Sequence, residues 1–270
     1  MILPHSVPVI SSHLGRQVVV HGRRRVSPPV VGPRRLLARQ HMESLPPPAP
    51  RRDWIAAAAA QCGGDFGQLL NNELGCCTIA DGPGHCTQVW TANAGPAMIT
   101  PPDSAILRAY EAVDGYIPGR PDTDNGGVET EVLGAWQRGI EGFARLDGWI
   151  PVNPANIDHV RKAIERYGAL YIGVALPLSA QNEEVWTVLG GSGSDEANSW
   201  GGHAISLHAY DEVSFDCITW GRRQKMSIDW FLTYCDEAYA PLCGTLWCPN
   251  GRSPAGDSVT DLQADLQAVT

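Results

Sequence analysis

The chain has 270 residues, 43% of them hydrophobic and 18% charged, with a formal net charge of −9, which supplies apolar material for one core of about 200 residues plus extra segments. No apolar run approaches the roughly 20 residues that a bilayer span requires, so a membrane-spanning protein is not expected. Charge is divided unevenly: residues 1–52 hold nine arginines, no lysine and one acid, Glu43, giving +8, while the other 218 residues hold 11 basic and 28 acidic side chains, giving −17; so acidic a folded part would repel phosphates, and a nucleic-acid partner is not expected.

In chain order, residues 1–52 read as an extended basic arm. Pro28, Pro29, Pro33 and the run Pro46-Pro47-Pro48 disfavour independent folding. The arm is suited to docking on an acidic protein surface or a virion partner, or to a transit-type role, and Met42 is an alternative initiator that would make residues 1–41 an upstream extension. Residues 53–248 are expected to form the folded domain and residues 249–270 a polar tail ending in a short helix from Asp257. A short alanine-rich helix over 53–60 leads to Asn71-Asn72-Glu73-Leu74-Gly75-Cys76-Cys77-Thr78-Ile79-Ala80, in which a cysteine follows a glycine turn and opens a helix. Asp81-Gly82-Pro83-Gly84 then disfavours continuation, which would weaken dipole support for Cys77. His85 to Asn93 resumes the helix with Val89 and Trp90 inward.

Pro102 and Asp103 start a helix with Ile106, Leu107, Tyr110 and Val113 on one face, stopped at Gly115. Asp122-Thr123-Asp124-Asn125-Gly126-Gly127 resembles the opening of a calcium loop, but the closing glutamate would fall at Leu133, so a polar loop capping a helix is the better reading and no metal is expected. Residues 140–152 look strand-like. Asn156 caps a helix bearing Ile157, Val160, Ala163, Ile164 and Tyr167, with His159 on its solvated side. A buried strand follows over 169–176. After the loop 190–199, strands are expected at 203–210, 214–220 and 224–226, with a helix capped by Ser227. Helices first and paired strands later give an α+β architecture with a cleft between the halves.

Gly201-Gly202-His203-Ala204-Ile205 places a histidine at the head of the 203–210 strand, and cysteine first with histidine over a hundred residues later is an order used for nucleophilic thiols. A free thiol is mostly protonated at neutral pH, so a nucleophilic cysteine needs a helix start or a cationic histidine beside it. Asn71, Cys77, Ala80, His203 and Thr219-Trp220-Gly221 stand in the order and spacing found in papain-like cysteine peptidases, and the chain resembles that superfamily over about 65–242. It is also similar to peptidase domains that process bacteriocin leaders, and to papain-fold proteins of actinobacteria and their phages. The resemblance implies a thiol hydrolase of peptide or related amide bonds, with Cys77 as nucleophile, His203 as base and Asn71 with the Cys77 N–H as oxyanion donors, and without a cofactor. Where the family has an asparagine to orient the histidine this chain has Ile218, and strand alternation makes Asp216 the substitute. Ile218 also keeps open an inactive papain-fold binding or structural protein, such as a virion component; a cytoplasmic or virion location follows from these readings. Adjacent Cys76-Cys77 and His85-Cys86 do not have zinc spacing. The eight cysteines are expected reduced, with Cys243 and Cys248 the pair most able to bridge.

Overall fold

The computed structural model describes residues 9–11, 16–18, 22–25, 33–190 and 192–269; the rest of the basic arm lies outside the described residues. Strands β1 (Val9–Ser11) and β2 (Arg16–Val18) pair antiparallel. Next come α1 (Pro33–Ser44), β3 (Arg52–Asp53), α2 (Ile55–Cys62), α3 (Cys77–Ile79), α4 (His85–Ala94), α5 (Asp103–Asp114) and α6 (Glu129–Arg138). The second half holds β4 (Gly148–Pro151), α7 (Ile157–Tyr167), β5 (Leu170–Leu176), β6 (Val185–Trp186), β7 (Gly201–Tyr210), β8 (Ser214–Thr219), β9 (Arg222–Ser227), α8 (Ile228–Tyr234), β10 (Cys235–Leu242), α9 (Gly244–Trp247) and α10 (Val259–Ala268). The main sheet runs β4-β10-β5-β7-β8-β9-β6, with β3 beside β7, and is antiparallel except where β6 meets β9. This is the α+β class that the sequence predicts.

The helix carrying Cys77 does not break at Gly82-Pro83. Residues 80–84 form a π-helical turn between α3 and α4, whose wider loop tolerates a proline that lacks an N–H and would crowd a tighter α-turn. The turn is fully buried against the sheet. A Cβ on Gly82 would stand 3.2 Å from the Tyr171 ring, so glycine sets how closely helix and sheet approach. Tyr171 donates its hydroxyl to Thr78 O at 2.9 Å, and Ser206 donates to Asp81 O at 2.6 Å. These bonds satisfy carbonyls of a distorted turn that the helix itself leaves free.

Three expectations need correction. Part of the basic arm is helical, because Ala38 and Met42 of α1 are buried and Lys162 donates to Met42 O at 3.0 Å. That packing also covers His159, expected to be solvated but 3% exposed. Residues 140–147 are not strand; Gly142 at φ 87° suits a turn, and only β4 is extended. The C-terminal segment is docked, with Leu262 buried and Arg166 paired to Asp257 and Asp265. β10 lies between β4 and β5, although Asp236-Glu237 interrupts its apolar pattern. Cys243 and Cys248 are free thiols like the other six cysteines.

Candidate active site

Cys77 opens the buried helix and His203 lies on β7, the strand against which that helix packs. The backbone N–H of Ala204 donates to Cys77 Sγ at 3.3 Å, which brings the sulfur to the residue next to His203. Both side chains are fully buried. The imidazole stacks on Trp220, with ring centroids 4.6 Å apart and planes 11° apart, and its Nε2 is hydrogen bonded to Thr219 Oγ1 at 2.8 Å. Nδ1 has no hydrogen-bond partner among the described residues.

Asp216 stands elsewhere. It is buried and pairs with the half-exposed Arg223 and Lys225, and the side chain that holds His203 is Thr219. The register explains this. Ile218 is opposite Ser206, three residues from His203 and so on the other face of the strand; Ile218 and Asp216 share that face, while Thr219 turns towards the histidine. Asn71 is buried, and its Nδ2 donates to Asp81 Oδ2 at 3.1 Å, leaving the second hydrogen of that amide free for another acceptor. Burial pushes the Asp81 carboxyl well above its ordinary range, opposed by the nearby Thr219 hydroxyl. Asn71, Asp81 and Thr219 therefore stand in one buried polar cluster behind Cys77 and His203.

The sulfur is covered by the chain's own basic segment. A Cβ on Gly22 would fall 2.8 Å from both N and Cβ of Cys77 and closer still to Sγ; only glycine can lie across the thiol. Gly127 N donates to Gly22 O at 2.8 Å and Arg24 N to Gly127 O at 2.6 Å, a parallel bridge that pins residues 22–24 to the loop before α6. Arg23 enters a pocket where Nε lies 3.0 Å from Glu129 and 3.1 Å from Glu237, and Nη2 pairs with Asp236 and Glu237. In this closed state burial first, then Asp81, pushes the Cys77 thiol well up, while burial and then Arg23 depress His203 to about 3. Both shifts favour the neutral forms, because burial disfavours charge on either group.

No family model and no curated protein sequence matches the chain. Solved structures do. Over 90% of this chain and 99% of the other, it superposes on xylellain, a cysteine protease from Xylella fastidiosa, with a TM-score of 0.55 at 10% identity. The fold is papain-like. Digestive procathepsin L 3 of Tenebrio molitor larval midgut matches with TM-score 0.52 and 10% identity over 74% of this chain and 71% of that one. The proform of the ragweed pollen cysteine protease Amb a 11 matches with 0.53 and 12% over 74% and 67%.

Within this papain-like fold, several site residues escape a reading of the sequence. Gly127, read as part of a calcium-like loop, binds the basic segment through its backbone, and Gly126 beside it lets that segment approach, since a Cβ there would stand 2.6 Å from Gly22 C. Asp124 of the same loop accepts the Gly75 N–H at 2.9 Å and the Tyr110 hydroxyl at 2.6 Å, so it fixes the turn before Cys77. Among the described residues there is no group of three or more His, Cys, Asp or Glu side chains arranged for a metal. Thr219 was within view of the sequence, directly before the Trp-Gly pair, but its face depends on strand register.

Proposed function

We propose that the chain is a papain-like thiol hydrolase that cleaves a peptide or related amide bond once residues 22–25 vacate the cleft. The observation that carries this reading is the 3.3 Å hydrogen bond from Ala204 N–H to Cys77 Sγ, beside an imidazole whose Nδ1 has no partner and whose Nε2 is held by Thr219. In the open state His203 takes the Cys77 proton, the sulfur adds to the carbonyl carbon, and the imidazolium returns the proton to the departing amine as the C–N bond breaks. Water, deprotonated by the same imidazole, then releases the acid from the thioester. The Cys77 backbone N–H and the spare Asn71 N–H serve the oxyanion. Thr219 orients His203 and Asp81 supports Thr219.

A second reading, a catalytically inactive papain-fold binding protein, is favoured by the complete cover of Cys77. Alkylation separates the two. With residues 22–25 displaced, iodoacetamide should label Cys77 faster than any other cysteine near neutral pH, and Cys77→Ala should abolish that fast phase. Labelling of Cys77 no faster than the other seven thiols in the opened protein would leave only the binding reading.

A further inference from the structure

Arg23 is an unusual arginine. Its side chain is 2% exposed, and burying a guanidinium is strongly unfavourable unless it is fully paired. Here Glu129 and Glu237 meet Nε, while Asp236 and Glu237 meet Nη2. Tyr239 donates to the other Glu237 oxygen at 2.7 Å, which fixes that carboxylate from behind. The cavity is shaped as well as charged: a Cβ on Gly173 of β5 would run into the guanidinium, and one on Gly202 would stand 2.8 Å from Arg23 O. Arg24 and Arg25, the next two residues, are exposed. Arg25 Nε still reaches Asp236 at the pocket rim, 3.2 Å away, but of the three arginines only Arg23 is buried, and it is the one directly after the glycine that crosses Cys77.

The pocket's parts come from four places in the sequence, namely α6, β5, β7 and the start of β10, and they hold the residue that follows the glycine lying across Cys77. For the fold alone such an arrangement is unfavourable, since three carboxylates gathered beside one another repel unless a cation joins them. A structural role would be served as well by an apolar side chain in an apolar pocket.

We propose that Glu129, Asp236 and Glu237 form a subsite for an arginine side chain of a peptide substrate, occupied in cis by Arg23. This rests on the thiol-hydrolase reading and adds the substrate class: peptides with an arginine next to a small residue at the point of attack. The same pocket gives the basic segment its hold, so substrate and segment compete for one place.

Binding tests this without chemistry. The full chain carrying Arg23→Ala and Cys77→Ala is titrated, at about physiological salt, with the capped pentapeptide His-Gly-Arg-Arg-Arg, which copies residues 21–25. Two peptides of equal net charge, with leucine in place of either the first or the second arginine, are the controls. Loss of the first arginine should weaken binding by roughly tenfold or more, because charge-assisted bonds in a desolvated pocket are lost, and loss of the second by less than about threefold. Glu237→Gln in the same background should narrow the gap between the two controls. Equal weakening by the two leucine peptides, or no binding to a folded variant, overturns the proposal. Should the Arg23→Ala chain not fold, Arg23→Met replaces it; failure of both to fold would make Arg23 a structural ion and also overturn it. Failure of Cys77 to label would sink the hydrolase reading and leave this binding result standing, so the two are separable.

Discussion

Replacing Gly22 by alanine should uncover Cys77. The added Cβ would lie 2.8 Å from both N and Cβ of Cys77, well inside carbon contact distances of about 3.5–4.0 Å. Rotating the thiol relieves only the overlap with Sγ; the backbone overlap persists because α3 is buried on every side. Overpacking of this kind costs about 1–3 kcal/mol. That penalty falls on the closed state alone, so the opening equilibrium of residues 22–25 should rise by roughly 5- to 160-fold at 25 °C. The alkylation rate of Cys77, which requires opening, should rise by the same factor. The pH dependence has a definite sign: burial holds the thiol well up in the closed state, so hydration in the open state lowers it and moves the onset of labelling towards neutral pH. The assay is a time course of iodoacetamide labelling with mass-spectrometric assignment of each cysteine in wild type and Gly22→Ala. An unchanged Cys77 rate in a variant that melts cooperatively would refute the claim that Gly22 is the cover.

Three other outcomes follow from the same geometry. Thr219→Val in the Gly22→Ala background removes the Nε2 partner of His203 and should lower the Cys77 labelling rate near neutral pH by roughly 2- to 13-fold, the worth of one neutral hydrogen bond, with the fold retained by circular dichroism. Asp216→Asn, whose buried carboxylate pairs with Arg223 and Lys225, should leave that rate unchanged while lowering stability by about 1.5–3 kcal/mol in urea melts; a slowed Cys77 would return Asp216 to the site. His208 is buried between Ser206 Oγ and Gly168 O, and burial depresses it to about 4. Its folded value lies below its unfolded one, so stability is lost as pH falls below about 6.5, with about 2 kcal/mol gone at pH 5. The stability difference between wild type and His208→Gln should shrink by that amount between pH 7 and pH 5, and a constant difference would show that His208 is not neutral in the fold.

Periodicity made much of this fold readable. α5 and α7 repeat apolar residues at helical spacing, β5 is a continuous apolar run, and Ser227 caps α8 by accepting the Trp230 N–H at 3.1 Å. β10 was hidden because Asp236-Glu237 breaks the alternation; those acids pair with Arg23. The helix through Pro83 was hidden because single-residue propensities penalise a proline that a π-helical turn can house. At the site, Cys77 and His203 announce themselves by residue type and order, whereas the choice of Thr219 over Asp216 depends on which strand face meets the histidine. The cover by Gly22 and Arg23 is the least legible feature. A run of arginines beside prolines carries no periodicity, and its partners Gly127, Glu129 and Glu237 lie between about 100 and 215 residues away in the sequence.

The most direct test of the hydrolase claim is turnover by an opened chain. Purified Gly22→Ala protein is incubated with peptides containing a Gly-Arg pair, and cleavage is followed by mass spectrometry beside the Gly22→Ala/Cys77→Ala double variant. The account predicts cleavage by the first protein and none by the second, with a thioester adduct on Cys77 trapped by rapid acid quench. Cleavage that persists without Cys77, or a folded, open protein with an alkylatable Cys77 that cuts none of these peptides, would contradict it.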